Sequence, residues 1–154
     1  MSQNHILRTY VRNDNNQPIG VVVATGRNQI GYSVCNVKKG DKFNKLFGYD
    51  IAVGRSLHPR RNIVAFENEI VRLADLWHNI YNMQTDGEES SDKYFQLDSE
   101  FDILYENIGQ EFANRGVPLK AIPDVIKMSC RAIRYFPKDV DLDYPNQPVK
   151  NEMI

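Results

Sequence analysis

The residues best suited to chemistry in this sequence lie between Arg27 and Arg61, where basic side chains alternate with aromatic and amide side chains. Cations attract phosphate groups, an aromatic face stacks on a base, and an amide reads the edge of a base. We therefore predict that this segment binds an anionic small molecule or nucleotide. The predicted site residues are Arg27, Tyr32, Asn36, Lys42, Phe43, Lys45 and Arg55. Tyr32 and Phe43 would equally suit a hydrophobic core, and the lysines a solvated surface.

Charge is divided unevenly along the chain, although the net charge is only −1. Residues 1–62 contain ten Lys or Arg and three Asp or Glu, whereas residues 63–154 contain nine and seventeen. One interpretation of this asymmetry is a basic face that attracts an anionic ligand. The alternative is that the two halves neutralise each other, within the fold or across an interface between copies.

A second row of basic residues recurs at helical spacing in the acidic half of the chain. Its members are Lys127, Arg131, Arg134 and Lys138. Such a row is typical of a solvated helix face, and it could also add to an anion site.

The sequence contains no motif of a known catalytic or metal site. It lacks G-x-S-x-G, a glycine loop ending in a phosphate-binding lysine, and C-x-x-C. The three histidines are not at metal-ligand spacing, and the apolar surroundings of Cys35 and Cys130 favour buried, reduced thiols. We therefore expect a protein that is not an enzyme, with no catalytic residue, no cofactor and no metal.

Three segments rich in β-branched and aromatic residues predict strands, over residues 5–12, 19–25 and 29–37. The turn-forming residues of 13–18 and 26–28 separate them. Strands that follow one another through short turns predict an antiparallel meander, which needs a covering layer before it is stable.

Four helices are expected to supply this layer. The first follows Asp41 as N-cap, and its apolar arc contains Phe43, Leu46, Phe47, Ile51, Val53 and Leu57. The second opens at Pro59, with an alternating spacing of three and four that favours a core-facing helix or an oligomer seam. Its apolar residues are Ile63, Phe66, Ile70, Leu73, Trp77 and Ile80. The third is predicted to follow Ser99 and to stop at Gly116, and the last to begin near Pro123.

These elements predict an α+β fold, with a small antiparallel β-meander of about three strands followed by about four helices packed on it. We expect one domain over residues 1–136, with a mobile acidic loop at 84–98, and an extended acidic tail over 137–154. No window approaches 18 uninterrupted apolar residues, and the first residues lack the apolar core of a signal peptide. We therefore expect no membrane partner.

The sequence resembles a group of small proteins encoded by tailed bacteriophages in three segments, Gly31–Asn36, Asp41–Lys45 and Ile51–Arg55. The resemblance covers roughly residues 19–57, about a quarter of the chain. It implies a phage accessory protein in the host bacterial cytoplasm. Some such proteins are counter-defence factors, and one kind, the Thoeris anti-defence sponges, binds immune signalling nucleotides without cleaving them.

The resulting hypothesis is a phage-encoded, non-enzymatic binding protein, expected as a homo-oligomer, that sequesters a phosphorylated small molecule or signalling nucleotide to counter host defence. One alternative is a protein-interaction module that inhibits or recruits a host protein or virion component through its acidic loop and tail. The other is a nucleic-acid-binding accessory protein that uses the N-terminal half and the basic row of 127–138.

Overall fold

The computed structural model of the protein describes residues 5–35, 42–58, 67–88 and 91–136. Three strands and four longer helices follow one another along the chain. They are β1 (Leu7–Arg12), β2 (Pro18–Gly26), β3 (Gln29–Val34), α1 (Lys45–Leu57), α2 (Glu67–Thr85), α3 (Asp92–Asn114) and α4 (Ile122–Tyr135), with a 3-10 turn at Leu119–Ala121. This order confirms the predicted α+β fold. The predicted tail over 137–154 lies outside the described residues.

The sheet is an antiparallel meander in the order β1-β2-β3, with β2 in the centre. In the first turn the Asn13 side chain accepts hydrogen bonds from the backbone N–H groups of Asn15 and Gln17, at 3.0 and 2.9 Å. Asn16 and Asn28 adopt positive φ angles of 62° and 69°, a conformation that asparagine tolerates better than most residues. The predicted turn residues therefore do connect the three strands.

The central strand β2 is buried on both faces, as its continuous apolar run predicts. Val22 and Ala24 face the core formed with α2, α3 and α4. Val21 and Val23 face a smaller core formed with Ala52 of α1. The protein therefore has three layers, with α1 on one side of the sheet and the other helices on the opposite side.

Helix α1 packs on the sheet through small side chains, and the predicted apolar arc is wrong. Gly48, Ala52 and Ser56 recur at intervals of four and are buried. A Cβ atom on Gly31 of β3 would overlap the Ala52 carbonyl oxygen and lie 2.6 Å from the Ser56 nitrogen. The close approach of the two backbones thus selects the small-residue face. The larger apolar residues Leu46, Phe47 and Leu57 are exposed.

The beginning of α1 also differs from the prediction. Its N-cap is Asn44, whose side chain accepts a 2.9 Å hydrogen bond from the Phe47 backbone N–H. The predicted cap, Asp41, lies outside the described residues, as does Pro59, the predicted start of the second helix.

Helix α2 extends to Thr85 and α3 begins at Asp92, so the connection between them is shorter than predicted. Ser91 caps α3, with its side chain accepting a 3.1 Å hydrogen bond from the Tyr94 N–H. Ser99, the predicted cap, lies within the helix. Most of the loop predicted over 84–98 is therefore helical. Gly116, with φ of 93°, follows the end of α3 as predicted.

Helix α4 inserts one face between the sheet and the other two helices. Val125, Ile126 and Met128 are fully buried there, and α4 contacts all three strands as well as α2 and α3. Within the ranges that the structure describes, no helix combines the length and hydropathy needed to cross a bilayer.

We predict that Gly31→Ala destabilises the protein by about 1–3 kcal/mol, because the added methyl group meets the α1 backbone instead of a side chain that can move away. Gly54→Ala is the matched control. A Cβ atom at Gly54 meets no atom within 4 Å, so this change should stabilise the exposed helix by up to about 1 kcal/mol. Urea unfolding of both variants measures these effects. An equal response of the two variants would contradict the packing described here.

Candidate functional site

A groove of about 450 Å³ lies between α2 and α4. Its volume is within the range of cavities that bind small molecules. Helix α2 contributes Ala74, Trp77, His78 and Tyr81, and helix α4 contributes Lys127, Cys130, Arg131 and Arg134. The groove therefore combines an aromatic wall with a basic wall.

The aromatic wall follows from the periodicity of α2. Leu73, Leu76 and Ile80 are buried and fix the rotation of this helix. Trp77 and Tyr81, one turn apart, then lie at the edge of the core, and their exposed fractions are 41% and 58%. Trp77 makes an edge-to-face contact with Phe101 of α3 at 6.1 Å. This contact orients the indole ring. Trp77 was predicted as part of the core-facing pattern of α2, and it lies instead at the edge of the core.

The basic wall follows from the burial of α4. Lys127, Arg131 and Arg134 are exposed because the opposite face of the helix carries its apolar residues. They form the described part of the predicted basic row, whereas Lys138 lies outside the described residues. Among the residues that the structure describes, no carboxylate lies at ion-pair distance from Arg131 or Arg134. Their charges therefore remain able to bind an anion.

His78 stands between the two walls of the groove. Its Nδ1 atom is 3.4 Å from Nη2 of Arg134, and its Nε2 atom is 3.3 Å from Nδ2 of Asn82. The imidazole thus keeps Arg134 beside the aromatic residues of α2.

Cys130 forms part of the groove wall and is only 5% exposed. Burial raises the pKa of its thiol to about 11, although the positive charge of Arg134 acts in the opposite direction. The residue is therefore a neutral thiol at physiological pH, and a poor nucleophile.

The predicted site residues that the structure describes have different surroundings, and none of them lines the groove. Arg27 is neutralised by Glu67, since its Nε and Nη2 atoms lie 2.9 and 2.8 Å from Glu67 Oε2. Its Nη1 atom also donates to the Ile133 carbonyl oxygen at 3.1 Å. Arg27 therefore ties the β2–β3 turn to α2 and α4.

Tyr32 and Arg55 meet at the packing of β3 on α1. Arg55 Nη1 donates to the Tyr32 carbonyl oxygen at 3.0 Å, and the Tyr32 side chain packs against the main core. This hydrogen bond therefore contributes to the packing of α1 on β3, and neither residue lines the groove.

Three predicted site residues lie at the beginning of α1 or just before it, namely Lys42, Phe43 and Lys45. The Phe43 ring covers Gly48 and makes an edge-to-face contact with Tyr10 at 6.3 Å. Lys45 Nζ lies 5.0 Å from the centroid of Tyr10, and Lys42 is exposed. Asn36, Arg60 and Arg61 lie outside the described residues. The described cations of the predicted site thus have different contacts, and their grouping in one pocket stays a prediction.

The groove includes residues that the sequence reasoning did not assign to a site. The spacing of Lys127, Arg131 and Arg134 predicts a basic helix face. The sequence does not indicate that the aromatic residues of α2 lie opposite this face. Trp77 and Tyr81 become site residues only because α2 packs beside α4. Across the described ranges, His, Cys, Asp and Glu side chains do not gather in groups of three or more that could hold a metal ion.

No protein-family model, curated protein or solved structure matches this chain.

We predict that Arg27→Gln lowers the free energy of unfolding by about 1–2 kcal/mol, because it removes half-buried charged hydrogen bonds to Glu67 and Ile133. The matched control is Arg72→Gln, which breaks the exposed ion pair between Arg72 and Glu100. Exposed pairs contribute little, so this control should lose less than about 0.5 kcal/mol. Urea unfolding compares the two. A larger loss for Arg72→Gln would contradict the structural role of Arg27.

We predict slow alkylation of Cys130 in a Cys35→Ser variant, where it is the remaining thiol. Because its pKa is raised from 9.0 to about 11, the thiolate fraction at pH 8 falls about a hundredfold. The rate with iodoacetamide should rise about tenfold for each pH unit between 8 and 10. Rapid alkylation at pH 7 would show that the thiol is not part of a buried groove wall.

Proposed function

We propose that the protein binds, without chemical turnover, a small phosphorylated molecule with an aromatic part, such as a nucleotide, in the groove between α2 and α4. The observation that carries this proposal is the position of two exposed aromatic rings opposite three exposed cations, in a cavity of about 450 Å³.

The basic wall is suited to a phosphate group. Arg131 and Arg134 each present a planar guanidinium group that can donate two parallel hydrogen bonds to phosphate oxygens. Lys127 adds a third positive charge one turn earlier on the same helix. Its own field is partly balanced by Asp124, which interacts electrostatically with it. The two arginines are therefore the expected phosphate ligands.

The aromatic wall is suited to a base. Stacking of a base on an aromatic side chain is worth about 1–3 kcal/mol and does not depend strongly on which base is bound. Trp77 and Tyr81 present such rings within one helical turn. A ligand that stacks on them while its phosphate lies against α4 would cover both walls of the groove.

Capture without turnover is supported by the chemistry of the groove side chains. The Cys130 thiol is protonated at neutral pH, since burial raises its pKa to about 11. His78 is placed between Arg134 and Asn82, and the other polar groups of the groove are the three cations, the Tyr81 hydroxyl and the Trp77 indole N–H. We propose that this capture sequesters a host signalling molecule, as the resemblance to phage proteins implies.

The fluorescence of Trp77 gives a direct test, because it is the only tryptophan in the chain. We predict saturable quenching by ATP, GTP, CTP or UTP, or by cyclic AMP. The double variant Arg131→Gln/Arg134→Gln should weaken binding about tenfold or more, because hydrogen bonds to charged groups are lost. Arg8→Gln/Arg12→Gln is the matched control, since it removes the same charge from the other side of the sheet.

Absence of quenching by all five nucleotides at millimolar concentration would contradict the proposal, as would equal affinities of the two double variants. Chromatography of the nucleotide after incubation tests the absence of turnover. We expect it to be recovered intact, and its conversion to a product would overturn the non-enzymatic part.

A further inference from the structure

A second basic surface lies on the side of the sheet that α1 covers. It consists of Arg8, Tyr10 and Arg12 of β1 with Lys45 and Tyr49 of α1, and we call these five residues the β1 platform. Alternate residues of a strand point to the same face, so Arg8, Tyr10 and Arg12 share one side of β1. Since β1 is an edge strand, this row lies at the border of the sheet.

The three cations of the β1 platform are held by aromatic rings. The Arg8 guanidinium carbon lies 5.0 Å from the centroid of the Tyr49 ring. Lys45 Nζ lies 5.0 Å from the centroid of Tyr10, and the Arg12 guanidinium carbon lies 6.0 Å from the same centroid. These distances are those of cation–π contacts. Arg12 is further fixed by a 3.0 Å hydrogen bond from Nη1 to the Asn16 carbonyl oxygen.

A neutral ring positions a cation without cancelling its charge. This distinguishes the β1 platform from Arg27, whose charge is neutralised by Glu67 at 2.8 Å. Within the described ranges, no carboxylate lies at ion-pair distance from Arg8, Arg12 or Lys45. Three positive charges are thus concentrated on one exposed surface, and their mutual repulsion decreases when an anion binds.

The dimensions of the β1 platform fit an extended polyanion. Arg8 and Arg12 are four residues apart on a strand, which corresponds to about 13 Å. A stacked nucleic-acid strand advances by about 3.4 Å per nucleotide. The strand from Arg8 to Arg12 therefore spans the length of roughly four nucleotides.

We infer that the β1 platform binds the sugar–phosphate backbone of a single-stranded nucleic acid. Unpaired bases can stack on the exposed guanidinium planes of Arg8 and Arg12 while the tyrosine rings keep these cations in place, whereas the bases of a duplex are hidden in its stack. This site is separate from the groove, because the β1 platform lies on the α1 side of the sheet and the groove is formed by helices of the other layer.

The test is the fluorescence anisotropy of a labelled 12-nucleotide oligothymidine, measured over a series of salt concentrations. Release of counterions from three phosphates predicts a slope of log K against log salt of about −2. Arg8→Gln/Arg12→Gln should reduce the slope to about −0.7 and weaken binding more than tenfold at low salt. The matched control, Lys93→Gln/Lys120→Gln, removes two exposed charges that belong neither to the groove nor to the β1 platform, and it should bind like the unmodified protein.

A pair of tyrosine variants tests how the cation is positioned. Tyr49→Phe keeps the ring under Arg8 and should preserve the affinity for oligothymidine. Tyr49→Leu removes the ring, and we expect binding to weaken about two- to fivefold. Equal affinities for the two variants would show that the Tyr49 ring does not position Arg8 for binding.

Four outcomes would overturn the inference. They are an absence of oligothymidine binding at low salt, an equal or larger loss of binding in Lys93→Gln/Lys120→Gln, tighter binding of a 12-base-pair duplex, and binding of phosphatidylserine vesicles without binding of the oligonucleotide. If oligothymidine does not bind but nucleotides still quench the Trp77 fluorescence, the inference on the β1 platform fails while the proposal for the groove stands.

Discussion

The burial of one face of α4 is the constraint on which the groove depends. Val125, Ile126 and Met128 are fully buried against the sheet and the other helices, and burial of each such side chain stabilises the fold by about 1.5–3 kcal/mol. A different rotation of α4 would expose these residues and bury cations without partners, which costs several kcal/mol more. The row of Lys127, Arg131 and Arg134 is therefore held on the outer face. Helix α2, packed beside α4, is placed so that its aromatic residues complete the groove.

The way in which each cation is held decides whether it can bind a ligand. Arg27 is paired with Glu67 and hydrogen-bonded to the Ile133 carbonyl oxygen, so it connects three elements of the fold. Arg55 donates to a backbone carbonyl oxygen at the packing of α1 on β3. The cations of the β1 platform instead lie beside tyrosine rings, and Arg134 of the groove lies beside the His78 imidazole. Two surfaces proposed to bind anions thus coexist in a chain whose net charge is −1.

Local patterns in the sequence predict most of the elements, whereas contacts between distant residues determine the sites. The three strands and α4 can be recognised in the sequence because turn-forming residues and the periodicity of apolar residues are local features. The buried face of α1 was predicted wrongly because Gly31 permits a close approach that favours Ala52 and Ser56 over Leu46 and Phe47. Residues 27–55 form a basic cluster in sequence, but β3 and α1 direct its members to different surroundings. The groove joins residues about 50 positions apart, and no local pattern specifies this pairing.

The central claim is that α2 and α4 together form the ligand site. It is tested most directly by backbone amide chemical-shift mapping of the isotope-labelled protein during titration with ATP and GTP. We expect the largest shifts in α2 around Trp77, His78 and Tyr81 and in α4 around Arg131 and Arg134, including the Trp77 indole N–H. Shifts confined to β1, β3 or α1 at saturation, with the two groove helices unperturbed, would contradict it.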